Sequence, residues 1–136
     1  MNAWPSVSGN TQYDEGSGLI YSNEQTHDDM VGIDPKTGKV VSRDHLPGCK
    51  GAHGLLIDAP RRLASIACED NARLVVFSLA RHSQISVTPI GSDPDVLAYD
   101  PGLRWLYGRA QARLERLSIS HLDRGVRLLG RSIERR

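Results

Sequence analysis

Aromatic side chains are scarce in this chain. They make up 5% of its 136 residues, with a single phenylalanine, so a core must rest mainly on Val, Ile, Leu and Ala. No apolar run approaches the ~20 residues of a membrane helix, which excludes a helical span. The opening residues, Met1-Asn2-Ala3-Trp4-Pro5-Ser6-Val7, have neither a basic start nor an apolar stretch, so no signal peptide is visible. As it stands the chain reads as cytoplasmic; a truncated N-terminus would make it periplasmic or extracellular. Two cysteines are too few for a disulfide scaffold. No GxSxG elbow, P-loop, HExxH or paired CxxC occurs. Asp28-Asp29 beside His27 lacks a nucleophile at useful spacing, and Gly16-Ser17-Gly18 opens no helix that would cradle a phosphate.

What is present is ordinary for one soluble domain: 39% hydrophobic and 24% charged residues, and a formal charge of +1. That charge is unevenly spread. Residues 108–136 hold eight arginines against Glu115, Asp123 and Glu134, for a net +5, and the rest of the chain carries −4. A basic end on an acidic body suits a solvated terminus or a nucleic-acid contact. The tail has no aromatic residue to stack on bases, so nucleic acid ranks only as an alternative partner.

The strongest signal is internal repetition. Tyr13-Asp14, Ile57-Asp58 and Tyr99-Asp100 are spaced 44 and then 42 residues apart. Each pair precedes a short turn and a small apolar run: Gly18-Leu19-Ile20-Tyr21, Arg62-Leu63-Ala64-Ser65 and Arg104-Trp105-Leu106-Tyr107. Met30-Val31-Gly32-Ile33-Asp34 corresponds to the run from Ala72 to Ser78 (Ala-Arg-Leu-Val-Val-Phe-Ser), and Leu46-Pro47-Gly48 to Pro89-Ile90-Gly91. Within one period the β-branched and alternating runs predict four strands, at 54–58, 63–68, 73–79 and 84–90, divided by hairpin-sized breaks. Asp34-Pro35-Lys36-Thr37-Gly38-Lys39 is a turn with a mechanism, because proline presets φ and glycine supplies a positive φ. Four antiparallel strands every ~40–45 residues is the period of a β-propeller blade.

These residues carry a family resemblance. Ile20-Tyr21-Ser22-Asn23, Val31-Gly32-Ile33-Asp34 and Thr37-Gly38-Lys39-Val40-Val41 resemble the YVTN-type β-propeller repeat. The stretch Ile90-Gly91-Ser92-Asp93-Pro94-Asp95-Val96-Leu97-Ala98-Tyr99-Asp100-Pro101 resembles that family's junction between blades, and Leu103-Arg104-Trp105-Leu106-Tyr107 the strand that follows. The likeness runs from about residue 13 to 107. It implies an all-β partial propeller of two to three four-stranded antiparallel blades. Residues 1–12 read as a polar leader or incomplete first strand, 13–107 as the blades, and 108–136 as a divergent last blade or tail. There Ala110, Leu114 and Leu117 fall at helical spacing and predict a short helix over 109–117. A closed ring needs ~4 to 8 blades, so the chain reads as a piece of a longer propeller, or as one part of a ring completed by a homo-oligomer or another chain. Its open array needs either such a partner or a polar cap, a role the arginine-rich end fits.

Candidate chemistry is sparse. His45, Cys49 and His53 have metal-ligand residue types at even spacing, but lie in a glycine-rich link where they need not converge. Cys49 and Cys68 fall at one edge of the same predicted sheet; they can bridge in an oxidising compartment if their Cα atoms come within ~7 Å, or remain two partly buried thiols. His53, Asp93 and Asp95 precede successive inner strands, at one mouth of a propeller channel, where a protein or small-molecule ligand would bind. The bland alternative is that they orient loops. Asp14, Asp34, Asp58 and Asp100 recur in repeat phase, which argues for turn duty. The leading expectation is a non-enzymatic binding scaffold without a cofactor. The alternative is part of a metal-dependent, lactonase-like propeller hydrolase using a divalent ion with His53 and Asp95.

Overall fold

The computed structural model describes residues 8–110, 113–119 and 126–133. It contains twelve strands: β1 Ser8–Asp14, β2 Leu19–Glu24, β3 Asp29–Asp34, β4 Lys39–His45, β5 Ala52–Asp58, β6 Leu63–Cys68, β7 Arg73–Ser78, β8 Ser83–Pro89, β9 Pro94–Asp100, β10 Trp105–Ala110, β11 Arg113–Ile119 and β12 Val126–Ile133. They form three antiparallel sheets, β1 to β4, β5 to β8 and β9 to β12, each a meander in chain order. The chain is a partial β-propeller of three blades. No helix occurs among the described residues, and hence none long and apolar enough to cross a membrane.

The middle blade shows why the sequence folds this way. Successive residues of a strand point to opposite faces. In β7, Val75 and Phe77 enter the core shared with the first blade, while Leu74 and Val76 enter the core shared with the third. In β5, Leu55 and Ile57 face the first blade, and Leu56 the third. A strand buried on both faces reads as a continuous apolar run rather than an alternating one, which is the character of Leu74-Val75-Val76-Phe77. The outer strand β4 lies against solvent and alternates between exposed and half-buried positions.

The blades repeat in detail. Ile20 pairs with Ile33, Ala64 with Phe77 and Leu106 with Leu117. The pairing of each third strand with its fourth shifts register at one repeat position, between Gly32 and Ile33, Val76 and Phe77, and Arg116 and Leu117. Such a bulge increases local twist, which suits a blade's outer edge. The tight turns close in one manner too, with their last residue at positive φ: glycine at Gly18 and Gly38, but Asp28, Arg62, Ala72, His82 and Arg104 elsewhere.

The short helix expected over 109–117 is corrected. Residues 105–110 and 113–119 are strands instead. Glu115 and Leu117, two residues apart, are both buried, whereas Leu114 is 41% exposed. Pairing of β11 with β10 and the cover of the middle blade override the helical spacing of Ala110, Leu114 and Leu117.

The polar strand β1 completes the first sheet by other means. Its Gly9 lies so close to the middle blade that a Cβ there would sit 2.6 Å from the His53 carbonyl oxygen. The Ile57 amide donates to Gln12 Oε1 at 2.9 Å, and Asn23 Nδ2 donates to the carbonyls of His53 and Gly54. Hydrogen bonds between blades thus stand where apolar packing is found farther along.

Candidate functional site

The three inner strands β1, β5 and β9 run side by side, so each end of the array gathers equivalent residues from successive blades. At the end where these strands begin, the links of residues 46–51 and 90–93 meet the turns between second and third strands. Asp28 Oδ1 accepts hydrogen bonds from the amides of Gly51 (2.6 Å) and Ala52 (3.1 Å). Asn71 Nδ2 donates to the Gly48 carbonyl, and the Lys50 amide donates to Asn71 Oδ1. Gly51 has φ +72°, and a Cβ there would meet the Asp70 carboxylate at 2.7 Å. Cys49 and Cys68 are joined as a disulfide with their Cα atoms 5.3 Å apart, tying this link to the end of β6.

Two buried carboxylates, not anticipated from the sequence, fix the same end. Glu24 is 1% exposed and accepts from the amides of Thr26 and His27, both at 2.9 Å, and from His27 Nδ1 at 2.7 Å. Glu115, equally buried, accepts from the Gly91 amide at 2.6 Å. The available signal was an acidic residue in a strand position that is apolar in the middle blade. At the Glu115 position that residue is Val75.

The expected site residues are distributed as follows. His53 is half-buried, its Nδ1 3.3 Å from Gln25 Oε1 and 3.7 Å from Glu69 Oε2. Asp93 adopts φ +52° in the link before β9. Asp95 lies in β9, and its side chain is outside what is described. His45, Cys49 and His53 are not gathered: His45 Nδ1 lies 2.9 Å from Asp29 Oδ1, and the Cys49 sulfur is in the disulfide. Among the described residues no three His, Cys, Asp or Glu side chains converge as metal ligands.

The opposite end, where the inner strands finish, is organised by the repeat-phase aspartates. Each caps the turn that follows it. Asp14 Oδ1 accepts from the Gly16 amide at 3.0 Å, Asp58 Oδ1 from Arg61 at 3.3 Å, and Asp100 Oδ1 from Gly102 at 2.9 Å. Asp34 Oδ1 does the same for the Lys36 amide at 2.9 Å, at the turn between third and fourth strands. Asp14 is fully buried and receives Arg62 Nη1 from the next blade at 2.7 Å. Burial works to raise the Asp14 pKa, but hydrogen bonds from Arg62, Ser17 and Gly16 outweigh it and hold the carboxyl below its ordinary value.

A cleft of about 410 Å³ opens at this end. Tyr13 and Glu15 border it from the first blade, Leu56, Asp58 and Arg61 from the second, and Tyr99 and Pro101 from the third. Arg61 Nη1 donates to Asp58 Oδ2 at 3.1 Å and to the Tyr99 hydroxyl at 3.2 Å. Burial, with the Asp58 charge second, raises the Tyr99 pKa, so this phenol stays protonated at neutral pH. No pattern in the sequence marks this cleft, because its members are separated by about one blade each and resemble turn residues singly.

No family model matches the chain, and no curated protein matches it in sequence. Solved structures do resemble it in fold. The periplasmic gluconolactonase of Pseudomonas aeruginosa is 18% identical, with a TM-score of 0.79 over 96% of this chain and 40% of that one. A putative 6-phosphogluconolactonase from Bacteroides fragilis is 8% identical, with a TM-score of 0.81 over 98% of this chain and 41% of that one. A chain in the mitotic checkpoint complex is 10% identical, with a TM-score of 0.77 over 95% of this chain and 40% of that one. The chain therefore spans about two-fifths of the length of the structures it matches. Such distant likeness to proteins of different kinds carries the architecture alone: three consecutive four-stranded blades of β-propeller type.

Proposed function

We propose that the chain is a non-enzymatic binding module of the YVTN-repeat kind, three blades of a larger propeller that further blades complete. The observation that carries this reading is the far face of the third blade. Trp105 and Tyr107 lie there half-buried, with the Arg116 guanidinium 4.4 Å from the Trp105 ring centre. The same strand positions in the middle blade are Leu63 and Ser65, both buried. A sheet face bearing two large aromatic rings suits cover by another blade. Three blades filling about two-fifths of the matching structures leave room for about four more, which favours additional blades over a second copy of this chain.

In this reading the ligand, a protein or a small molecule, meets the mouth bearing His53, Asp93 and Asp95. The support is positional: His53 and Asp95 stand at the starts of successive inner strands and Asp93 in the link before the second of them, and Asp28, Asn71 and Glu115 hydrogen-bond the links. The second reading is part of a metal-dependent, lactonase-like hydrolase using His53 and Asp95; of that pair only the His53 side chain is described, with its Nδ1 3.3 Å from Gln25 Oε1 and 3.7 Å from Glu69 Oε2.

Molar mass in solution, by light scattering on a size-exclusion column, tests the reading. The 136-residue chain alone is expected at the mass of one copy, with β-rich circular dichroism. A folded dimer or trimer of defined mass would assign the missing cover to copies of the chain itself and overturn the preference for other blades.

A further inference from the structure

We infer that the blade covering the third one carries an arginine in the turn before its second strand, and that its guanidinium docks on Asp100. The inference rests on the reading above that another blade covers this face, and it names what that blade must bring.

The joint between the first two blades shows the pattern. Asp14 ends β1 and turns to the second blade, where Arg62 Nη1 meets its Oδ1 at 2.7 Å. From its own turn Asp14 receives two neutral donors, the Gly16 amide and the Ser17 hydroxyl. At the second joint the aspartate's own turn supplies the charge: Arg61, in the place of Ser17, pairs with Asp58 at 3.1 Å. Asp100 stands in the same phase at the end of β9. Its Oδ1 accepts from the amides of Gly102 (2.9 Å) and Leu103 (3.2 Å), and Leu103 holds the place of Ser17 and Arg61. Asp100 therefore matches Asp14, with no cation at that place in its own turn.

The other cations of the third blade do not make up the charge. Arg104, in the place of Arg62, bears on Tyr99, which packs against the core between second and third blades. Arg116 stacks on Trp105, and Arg109 stands opposite Val96, toward the other end of the sheet. Asp100 is half-buried and enters no ion pair among the described residues.

A blade laid over this face takes Asp100 out of water, and a carboxylate buried without a partner opposes docking. The cover must bring a cation to this point. Arginine is the residue the chain already places there: the turn position holds Arg62 and Arg104, both at φ +57°, in the second and third blades. In the first blade it is Gly18. A second copy of this chain, docking through its first blade, brings no side chain to Asp100 from that position, which sets the expected partner apart from the chain itself.

The test extends the full chain at residue 136 with a copy of its own link and middle blade, residues 46–89. In the copy, position 62 is fully randomised. Positions 55, 57, 64, 66, 75 and 77, which face the preceding blade, are randomised among apolar residues so that the copy can fit Trp105 and Tyr107. Two libraries, one with Asp100 and one with Asp100→Asn, are sorted by protease resistance. Asparagine keeps an oxygen for the Gly102 and Leu103 amides, so the turn survives. Arginine is expected at position 62 about tenfold above glutamine in the Asp100 library, and level with it in the Asp100→Asn library. Resistant members without that preference, or with the same preference in both libraries, overturn the inference and leave the covering blade in place. Libraries with no member more resistant than the unextended chain overturn both.

Discussion

Replacing Cys49 and Cys68 together by alanine lowers the unfolding free energy by about 3 kcal/mol. The bridge spans 19 positions of sequence and closes a loop from the link after the first blade to the second strand of the next. In the chain-entropy view its effect lies in the unfolded state, where it removes the freedom of that loop. Both residues are also buried in the core between first and second blades, beside Met30, Leu46 and Ile66. Alanine leaves a small cavity at each, so the loss does not fall below the entropic value. Urea denaturation of the wild type with and without reductant reads the same quantity. Reductant is expected to lower the midpoint of the wild type and to leave the double variant unmoved. A wild type indifferent to reductant contradicts the assignment.

Asp14→Ala is expected to cost about 2–3 kcal/mol. Asp14 is fully buried and joins three things: the Gly16 amide, the Ser17 hydroxyl and the Arg62 guanidinium of the neighbouring blade. Removing one partner of a buried ion pair costs about 3–5 kcal/mol, but Arg62 is 29% exposed and recovers part of its hydration. The pH dependence follows from the depressed carboxyl pKa. In the unfolded chain Asp14 takes up a proton near its ordinary value of 3.8, and in the folded chain only at lower pH. The unfolded state therefore binds more protons in that interval, and stability rises with pH through it. The contribution is complete above the ordinary value and is lost as pH falls through the depressed one. Stability measured from neutral pH down to the acid limit should decline less steeply in Asp14→Asn than in the wild type. Parallel declines would show that Asp14 is not held below its ordinary value.

Most of the fold was legible in the sequence because repetition is a long-range signal that survives local ambiguity. The strands expected at 63–68 and 73–79 are β6 and β7 nearly to the residue, since blade-to-blade burial imposes apolar residues on both of their faces. The segment at 109–117 was not legible. Its arginines and leucines satisfy a helical period as well as a strand period, and only pairing with β10 distinguishes them. The candidate site was legible only as a position. His53 could be placed at the start of an inner strand, but the clamps Glu24 and Glu115 work through amides of distant or turn residues, which no single-chain motif encodes. The cleft at the ends of the inner strands depends on three turns brought together from three blades.

The three-blade repeat itself is tested most directly by backbone NMR contacts between strands. Cross-peaks are expected between the equivalent partners Ile20 and Ile33, Ala64 and Phe77, and Leu106 and Leu117. Contacts for the first two pairs, with helical contacts three residues apart over 109–117 in place of the third, would contradict the third blade.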